Sequence, residues 1–477
     1  MRLVLSKIHV YLWFDIEDYV TKESNDLPLT AFRILKKYNV PVTCKLVAEK
    51  VRFLQENGRT DVLEAIAEND VGYHLNTHSR HPTLYEYLAD LDVRSGAKEF
   101  YASEAQGFTL VKQIFSKDPS CFGHPGPAWA PHVYPALKEM RIPIYLDETP
   151  IINLNNQPYW YCGILNLNGA NRNFIVFDYT FENPKGVVVL KRKFKKMYDA
   201  LEKGNGGAVS ILFHLHTSIN KKFWDAVNFG SGKNRSKEDY IRPPAQPVKI
   251  MERAWEHFDE LIRYISSFED VEFITATDAL NMYTQPRRNT MSKAELRRVA
   301  KHFRKSTDYF ELEAEYVLSP SEAFYLVAKS LSELVNRTGA PDDVAFKEPL
   351  GPLGPFLTTG KRRLLSKDLI IAASRAIEFM DRENYLPTSV SVGDYANLSP
   401  EDFLASAWKL LGDVLAGTLP EKISVSKGAT PNLKYVHPAA FRRACKWTVL
   451  PPKFKGQKLL EQIKLQAWTL RPALPPD

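Results

Sequence analysis

The chain has 477 residues, a length that indicates two or three domains. Hydrophobic residues make up 44% and charged residues 25%, the proportions of a soluble globular protein. The net charge is +7, and nearly all of the basic excess lies after residue 285. We interpret this excess as a solvated face, with an acidic glycan, nucleic acid or an anionic surface as the alternative partner. No arginine-rich run with interleaved aromatic residues occurs, so we expect no nucleic-acid partner.

The positions of the cysteines and the length of the apolar runs exclude further classes of protein. None of the four cysteines stands in a C-x-x-C pair, which argues against a cysteine-based metal site. Four cysteines in a chain of this length also do not make a disulfide framework. The first residues, MRLVLSKIHVYLWFDIEDY, contain a short apolar stretch that runs directly into acids, which predicts a strand and not a signal peptide. No run approaches the roughly 18 apolar residues of a membrane-spanning helix. We therefore expect a cytoplasmic protein without a membrane span.

Strands and helices alternate along the first 280 residues. The segment IHVYLWF at 8–14 is continuously apolar, which is typical of a strand buried on both faces. Asp70–Gly72 is predicted to lead into a turn. The alternation predicts an α/β fold with a parallel sheet in a distorted (β/α) barrel. In chain order, we predict a strand at 8–14, a helix at 29–38, a strand at 40–47, helices at 61–68 and 84–116, strands at 142–146, 173–178 and 208–213, a helix at 249–266 and a strand at 271–276.

The character of the sequence changes at about residue 285, where the polar and basic segment QPRRNTMSKAELRR predicts a domain boundary. The region that follows is mostly helical, and units near 318, 370 and 398 each combine a helix, a proline turn and a short strand-like run. The last residues are basic and rich in proline. We therefore predict a barrel domain at 1–285, a mostly helical accessory domain at 286–446 and a tail at 447–477.

Three acids directly follow the first predicted strand. Asp15, Glu17 and Asp18 thus lie at the exit of a buried parallel strand, where α/β barrels place their active sites. Two neighbouring carboxylates can divide the chemistry, since one can bind a metal ion while the other accepts a proton. The alternative is an acidic loop or a helix cap.

A cluster of histidines follows at 74–82, where HLNTHSRHP holds three of the 11 histidines in the chain. His74 and His78 are four residues apart, so one helical turn would bring both imidazoles to the same side. Two such nitrogen ligands are commonly supplied to zinc or a related ion. His81 is the alternative to His78, but the spacing favours His78.

Two later segments hold further candidates. The loop CFGHPGPAW at 121–129 has glycines and prolines that allow close approach to a ligand, and Trp129 offers a face on which a sugar ring could stack. His214 follows a predicted strand and could act as general acid toward a leaving amine. If that strand continues, His216 points to the same side as His214.

Taken in order, these motifs resemble the NodB-type polysaccharide deacetylases, which form carbohydrate esterase family 4. The resemblance rests on FDIEDY, VPVTCKL, HLNTHSRHP, FGHPGPAW and LFH, and it covers about residues 5–280. It implies a barrel of the polysaccharide deacetylase type that holds a divalent metal ion, first of all zinc, with cobalt, nickel or iron as the others. It also implies hydrolysis of the acetamide of an N-acetylated sugar or glycan.

The resemblance implies a role for each matching residue. Asp15 would be the general base and His214 the general acid. The metal ligands would be two histidines and one acid, for which Glu17 is preferred: His74, His78 and Glu17 or Asp18. The substrate would contact the third motif, the YLDE stretch at 145–148 and the last motif. The residues concerned are His124, Pro125, Trp129, Asp147, Glu148 and His216.

The sequence departs from the family pattern at two places. The usual Asp-Asp pair is replaced by Asp15-x-Glu17-Asp18. Gly123 and His124 stand where the family has an arginine that helps to orient the base. The second departure bears on activity and on its pH optimum.

Three functions stay open at this level. The first is a metal-dependent deacetylase, a hydrolase of carbon-nitrogen bonds other than peptide bonds. The second is a hydrolase of another small amide on the same scaffold, which the missing secretion signal favours. The third is a catalytically silent glycan-binding protein, which the missing arginine favours. The repeats near 370 and 398 weakly resemble pseudomurein-binding repeats, with a helical domain that packs on the barrel or forms a homo-oligomer contact as the alternative.

Overall fold

The computed structural model describes residues 7–147, 149–167, 173–204, 206–283, 288–312, 316–333 and 343–474. The strands are β1 (Ile8–Ile16), β2 (Thr43–Leu46), β3 (Asp70–Tyr73), β4 (Cys121–Phe122), β5 (Ile144–Tyr145), β6 (Tyr159–Tyr161), β7 (Ile164–Asn166), β8 (Phe174–Val176), β9 (Gly207–Phe213), β10 (Val271–Ile274), β11 (Thr290–Ser292), β12 (Phe310–Leu312), β13 (Tyr316–Leu318), β14 (Asp343–Ala345), β15 (Thr359–Gly360), β16 (Arg363–Leu365), β17 (Val390–Val392), β18 (Ala396–Leu398), β19 (Lys422–Ser424) and β20 (Arg471–Pro472). The α-helices are α1 (Leu27–Lys36), α2 (Ala48–Glu56), α3 (Thr60–Ala67), α4 (Leu84–Leu88), α5 (Val93–Phe115), α6 (Val133–Glu139), α7 (Gly186–Glu202), α8 (Trp224–Phe229), α9 (Val248–Ile265), α10 (Ala276–Tyr283), α11 (Lys293–Phe303), α12 (Pro320–Glu333), α13 (Ser366–Glu383), α14 (Pro400–Leu415), α15 (Pro438–Ala444) and α16 (Gln457–Gln466).

Among the described residues, eleven strands form one sheet in the order β20-β6-β7-β5-β4-β3-β2-β1-β9-β8, and β10 pairs with the first half of β1. Within the described chain, every pair of this sheet is parallel except β6–β7 and β6–β20. The end strands β8 and β20 are not paired with each other among these residues, so the sheet is a curled half-barrel. The expected α/β fold with a distorted barrel is confirmed, and within the described residues the barrel is half-open.

The central strand β1 explains how the sheet is built. All nine of its residues are buried, and it pairs with β9 on one side and with β2 and β10 on the other. Side chains alternate between two faces along a strand. Val10, Leu12 and Phe14 accordingly enter the main hydrophobic cluster, whereas Tyr11 and Trp13 enter a smaller one. Asp15 continues the second of these faces.

The predicted elements before residue 280 lie within three residues of their observed bounds, with two exceptions. Asp70–Gly72, expected to lead into a turn, forms most of β3, because β2 and β4 flank it and supply its backbone partners. The single helix predicted at 84–116 is divided into α4 and α5. Asp92 accounts for the break, since its carboxylate accepts a hydrogen bond from the Ser95 N–H at 2.8 Å and caps α5.

A second hydrophobic cluster is formed by the helices α11 to α14 and the short strands around them. Among the described residues, this region contains four β-α-β units that associate in two pairs. The strand pairs β11–β14 and β12–β13 join the first two units, and β16–β19 and β17–β18 join the last two. The sequence predicted three related units. The unit at 290–312 was not predicted, because its helix is polar and no proline turn follows it. Ser292 and Glu295 nevertheless form a capping box at the start of that helix. The domain boundaries at 285 and 446 stay predictions.

The last described residues return to the main sheet. Arg471–Pro472 pairs with β6, and Leu459 and Ile463 of α16 belong to the main hydrophobic cluster. Trp468 belongs to the second cluster, so this segment contacts both. No helix in the described ranges is long and apolar enough to cross a membrane.

Candidate active site

Polar side chains gather at the carboxyl ends of the parallel strands. Asp15 is the penultimate residue of β1, and Glu17 follows that strand. His74 directly follows β3, and His214 directly follows β9. Because neighbouring parallel strands end at the same edge of a sheet, these side chains meet where α/β folds place active sites.

Glu17, His74 and His78 form a compact group of potential metal ligands. Their donor atoms lie within 4.8 Å of one another, and all three side chains are buried. Glu17 Oε2 is 3.4 Å from His74 Nε2 and 3.1 Å from His78 Nε2. This oxygen accepts no hydrogen bond of standard geometry from the described residues. A buried carboxylate oxygen facing two imidazole nitrogens fits a divalent ion such as zinc.

Both imidazoles are held through their other ring nitrogen. His74 Nδ1 lies 3.0 Å from the carbonyl oxygen of Gly123. His78 Nδ1 lies 2.7 Å from the Ser79 hydroxyl, which donates to Asp225 Oδ2 at 2.9 Å. Contacts of this kind fix the tautomer and the orientation of metal-binding histidines. Nε2 of each ring is therefore directed toward the potential metal site.

The segment that carries His74 and His78 is a loop, so the helical turn expected there is wrong. Leu75 and His78 have φ angles of 70° and 59°, in the left-handed region and outside the helical one. The ring centroids of His74 and His78 lie 4.9 Å apart. The two rings thus come together by a folded loop and not by helical periodicity.

The alternative ligands considered from the sequence have other partners. His81 Nδ1 lies 2.6 Å from Glu86 Oε2. Asp18 Oδ1 accepts a hydrogen bond from the Val20 N–H at 2.9 Å, and Asp18 Oδ2 accepts one from the Asn220 amide at 3.0 Å. Asp18 therefore stabilises the turn after β1, while Glu17 faces the histidines.

Asp15 lies beside the ligand group and is buried. Its Oδ1 is 3.1 Å from Lys45 Nζ, and its Oδ2 is 3.4 Å from His214 Nε2 and 3.8 Å from His74 Nε2. Burial raises the pKa of the Asp15 carboxyl, but the charges of Lys45 and the two imidazoles outweigh it and hold this pKa well below its usual range. Asp15 is thus a carboxylate that can accept a proton.

His214 is paired with a second carboxylate. Its Nδ1 lies 2.6 Å from Asp178 Oδ2, and its backbone N–H donates to Asp178 Oδ1 at 2.9 Å. Burial lowers the pKa of His214, but the carboxylates of Asp178 and Asp15 outweigh it and raise this pKa well above its usual value. The two carboxylates therefore favour the protonated imidazole, which can donate a proton.

A cavity of about 670 Å³ opens onto these groups. Asp15, Glu17, His78 and His214 line it, and the exposed Lys221 lies at its surface. A polar end with apolar walls is typical of small-molecule sites. Its apolar walls are formed by Pro127, Pro150, Val176, Leu212, Phe223, Ala226 and Trp447.

The structure places the predicted substrate contacts of the third motif in different surroundings, at the cavity or away from it. His124 lines the cavity, and burial lowers its pKa to about 4, so its imidazole is neutral. Pro125 is buried beside Gly126, which lines the cavity. Trp129 is completely buried, and its Nε1 donates to the Tyr134 hydroxyl at 2.9 Å. The structure therefore does not bring Trp129 to the cavity, and its ring offers no face to a sugar.

The remaining substrate candidates also divide. Asp147 lines the cavity and forms an ion pair with Lys45 at 2.9 Å. His216 does not continue the strand, because β9 ends at Phe213 and His216 lies in a 3-10 turn behind Glu17, with Nδ1 3.8 Å from Glu17 Oε1. Glu148 lies outside the described residues.

The residues at the site that were not predicted include Lys45, Asp178, Trp224 and Trp447. Lys45 and Asp178 had a signal, since each is a charged residue in or after a predicted strand. Trp224 Nε1 donates to Glu17 Oε1 at 3.0 Å, and the ring centroid of Trp447 lies 6.4 Å from that of His78. The tryptophans had no local signal, because each reaches the site from a segment far along the chain.

Comparisons with known proteins give no family. No protein-family model and no curated protein matches the sequence. The chain is similar to the solved structure of 4-alpha-glucanotransferase from Thermococcus litoralis, with 11% identity and a TM-score of 0.38 over 58% of this chain and 41% of that chain, so it spans less than half of that enzyme. It is also similar to a protein described as a polysaccharide deacetylase from Mycobacterium smegmatis (13% identity, TM-score 0.38, 59% of this chain and 91% of that chain) and to Puue allantoinase (12%, 0.40, 58% and 91%). At these identities and TM-scores, only the geometry of the site bears on function.

Proposed function

We propose that this protein is a metal-dependent deacetylase that hydrolyses the acetamide of an N-acetylated sugar or glycan. One observation carries the proposal: the Asp15 carboxylate and the His214 imidazole lie beside a potential metal-ligand group in a single cavity. Amide hydrolysis requires a base for the attacking water, an acid for the departing amine and stabilisation of the developing oxyanion. The described residues offer a group for each of these tasks.

Glu17, His74 and His78 would hold the ion. Zinc suits a set of one carboxylate and two imidazoles, and cobalt, nickel or iron are the alternatives. When bound, a divalent ion of this kind acts as a Lewis acid toward the acyl oxygen and lowers the pKa of water.

Asp15 and His214 divide the proton transfers. Asp15 accepts the proton of the water that attacks the acetyl carbon. His214, held protonated by Asp178, donates its Nε2 proton to the sugar nitrogen as the carbon–nitrogen bond breaks. The products are acetate and the free amine.

Trp447 is our candidate for the sugar-binding surface that Trp129 does not provide. Its indole is partly exposed and lines the cavity beside the ring of His78. Aromatic rings offer large apolar faces, and the carbon-bound hydrogens of a sugar ring form a matching apolar face. His124 Nε2 has no hydrogen-bond partner among the described residues, so it is available to a substrate hydroxyl.

A second candidate is the hydrolysis of another small amide by the same groups. The apolar wall formed by Val176, Leu212 and Phe223 favours it, because such a wall suits a substrate less polar than a glycan. The two candidates share the chemistry and differ in the product, so a substrate panel separates them.

Metal content and acetate release, measured on one preparation, test the proposal. The panel contains N-acetylglucosamine, its oligomers and small N-acetyl amides. We compare the natural chain with Asp15→Asn, His74→Ala and, as a matched control, His437→Ala, which changes an exposed histidine. We expect metal and release in the natural chain and the control, metal without release in Asp15→Asn, and a loss of both in His74→Ala.

The outcomes separate the three functions. Release of acetate from the sugars supports the deacetylase. Bound metal with release from small amides alone supports the second candidate. A natural chain that binds no metal and releases no acetate contradicts both enzymes and leaves a catalytically silent glycan-binding protein.

A further inference from the structure

Lys45 is a buried lysine that contacts two buried carboxylates. Its side chain is 0% exposed, and its Nζ lies 3.1 Å from Asp15 Oδ1 and 2.9 Å from Asp147 Oδ2. The same ammonium stands 4.0 Å from the centroid of the Trp13 ring. Burial lowers the pKa of Lys45, but the two carboxylates outweigh it and raise this pKa. Lys45 is therefore a permanent positive charge next to Asp15.

Asp15 has two possible roles at this site. Besides the group of Glu17, His74 and His78, a second set of potential metal ligands consists of Asp15, Glu17 and His214. The two sets share Glu17. A carboxylate bound to the ion is a poor acceptor for the proton of the attacking water, so the proposed reaction requires that Asp15 stays off the ion.

We infer that Lys45 is a positioning residue that keeps Asp15 as the proton acceptor and prevents it from becoming a metal ligand. The inference rests on the proposed function. Lys45 forms an ion pair with Asp15 Oδ1 at 3.1 Å, while Asp15 Oδ2 faces His214 Nε2 at 3.4 Å. Asp147 contacts the other side of the same ammonium.

The absence of a side chain at Gly123 allows this arrangement. A Cβ atom at Gly123 would lie 2.2 Å from Lys45 Nζ and 2.6 Å from Asp147 Oδ2. A larger residue there would displace the ammonium from Asp15.

Cobalt(II) provides a test that does not depend on turnover, because its visible absorption reports the number and type of its ligands. The test variant is the double substitution Lys45→Met, Asp147→Asn, which removes one charge of each sign and keeps the net charge of the cluster. The matched control is Asp147→Asn, which retains Lys45. Each protein is titrated with cobalt(II) alone, and its fold is verified by circular dichroism.

We expect the control to show the cobalt spectrum of the natural chain. In the double variant, the unpaired Asp15 carboxylate turns to the ion, so the absorption per cobalt falls and the affinity for cobalt rises. Adding Asp15→Ala to the double variant restores the natural spectrum. With an N-acetyl substrate, we expect the double variant to lose kcat by about 100-fold or more with its metal still bound.

An unchanged spectrum and affinity in the double variant overturn the role of Lys45 and leave the proposed function intact. A natural chain that binds no cobalt overturns the proposed function and this inference together. If the double variant does not fold, Asp15→Ala in the natural chain decides the question. Its cobalt spectrum should be unchanged, and a changed spectrum would show that Asp15 is a ligand despite Lys45.

Discussion

Glu104 is a buried acid whose protonation should make stability depend on pH. It lies in α5, and its Oε2 accepts hydrogen bonds from the Tyr73 hydroxyl and from the Asn76 N–H, both at 2.6 Å. Asn76 stands between the two histidines of the ligand group, so Glu104 fixes the loop that carries them. Burial raises the pKa of Glu104 to about 7.

The direction in which pH changes the free energy of unfolding follows from the two pKa values of Glu104. An unfolded Glu104 would titrate near 4.5, and the folded one titrates near 7, so the folded state binds the proton more tightly. The associated stability is fully present below pH 4.5 and is lost as the pH rises through 7. Between pH 5 and pH 8 the free energy of unfolding changes by roughly 2 to 3 kcal/mol, because each pH unit between the two pKa values corresponds to about 1.4 kcal/mol.

Glu104→Gln removes the titration and keeps an oxygen that can accept both hydrogen bonds. We expect the free energy of unfolding of the natural chain to fall by roughly 2 to 3 kcal/mol relative to the variant between pH 5 and pH 8. Urea unfolding followed by near-ultraviolet circular dichroism measures this difference, with a chelator present because metal binding also depends on pH. Glu99→Gln, an exposed position of the same helix, is the matched control. Parallel pH profiles for the natural chain and Glu104→Gln would refute the reasoning.

Three further predictions concern the site. Asp178→Asn removes the anion that keeps His214 protonated, so acetate release should fall by about 100-fold or more while metal content stays unchanged. Loss of metal in this variant would contradict the role of Asp178 as the partner of the general acid. Glu17→Gln should abolish stoichiometric metal binding, measured by elemental analysis, whereas Asp18→Asn should retain the metal and lower the melting temperature. The reverse pattern would make Asp18 the ligand. Trp447→Ala should raise KM for N-acetylglucosamine oligomers by about 10-fold with little change in kcat, because an apolar wall contributes about 1 to 2 kcal/mol of binding free energy. Trp447→Phe should restore most of the affinity. A KM for Trp447→Ala equal to that of the natural chain would remove this residue from the substrate site.

Residues that carry chemistry could be identified where a local pattern marked them. Asp15 and His214 stood out because each lies at the end of a buried strand. His74 and His78 stood out as part of a cluster, although the helical geometry inferred from their spacing was wrong. The role of each residue in catalysis or metal binding stays a proposal.

The choice between neighbouring acids lay beyond the sequence. Glu17 and Asp18 both follow β1, and either could have faced the histidines. The path of the chain after Ile16 decides between them, because Asp18 caps the turn through the Val20 N–H while the Glu17 carboxylate extends toward the cavity. The same limit applies to Trp129, whose loop is near the site although its ring is buried.

The alternation of strands and helices was determined by the sequence itself, since apolar periodicity and β-branched runs act over a few residues. Polar residues at the ends of those strands then predicted where chemistry would occur. Only the tertiary structure decided which charges meet: Lys45 with Asp15 across neighbouring strands, and Asp178 with His214. It also brought Trp447 into the cavity from near the end of the chain. These contacts depend on strand register and on packing between segments that are distant in the chain, and no local pattern encodes either.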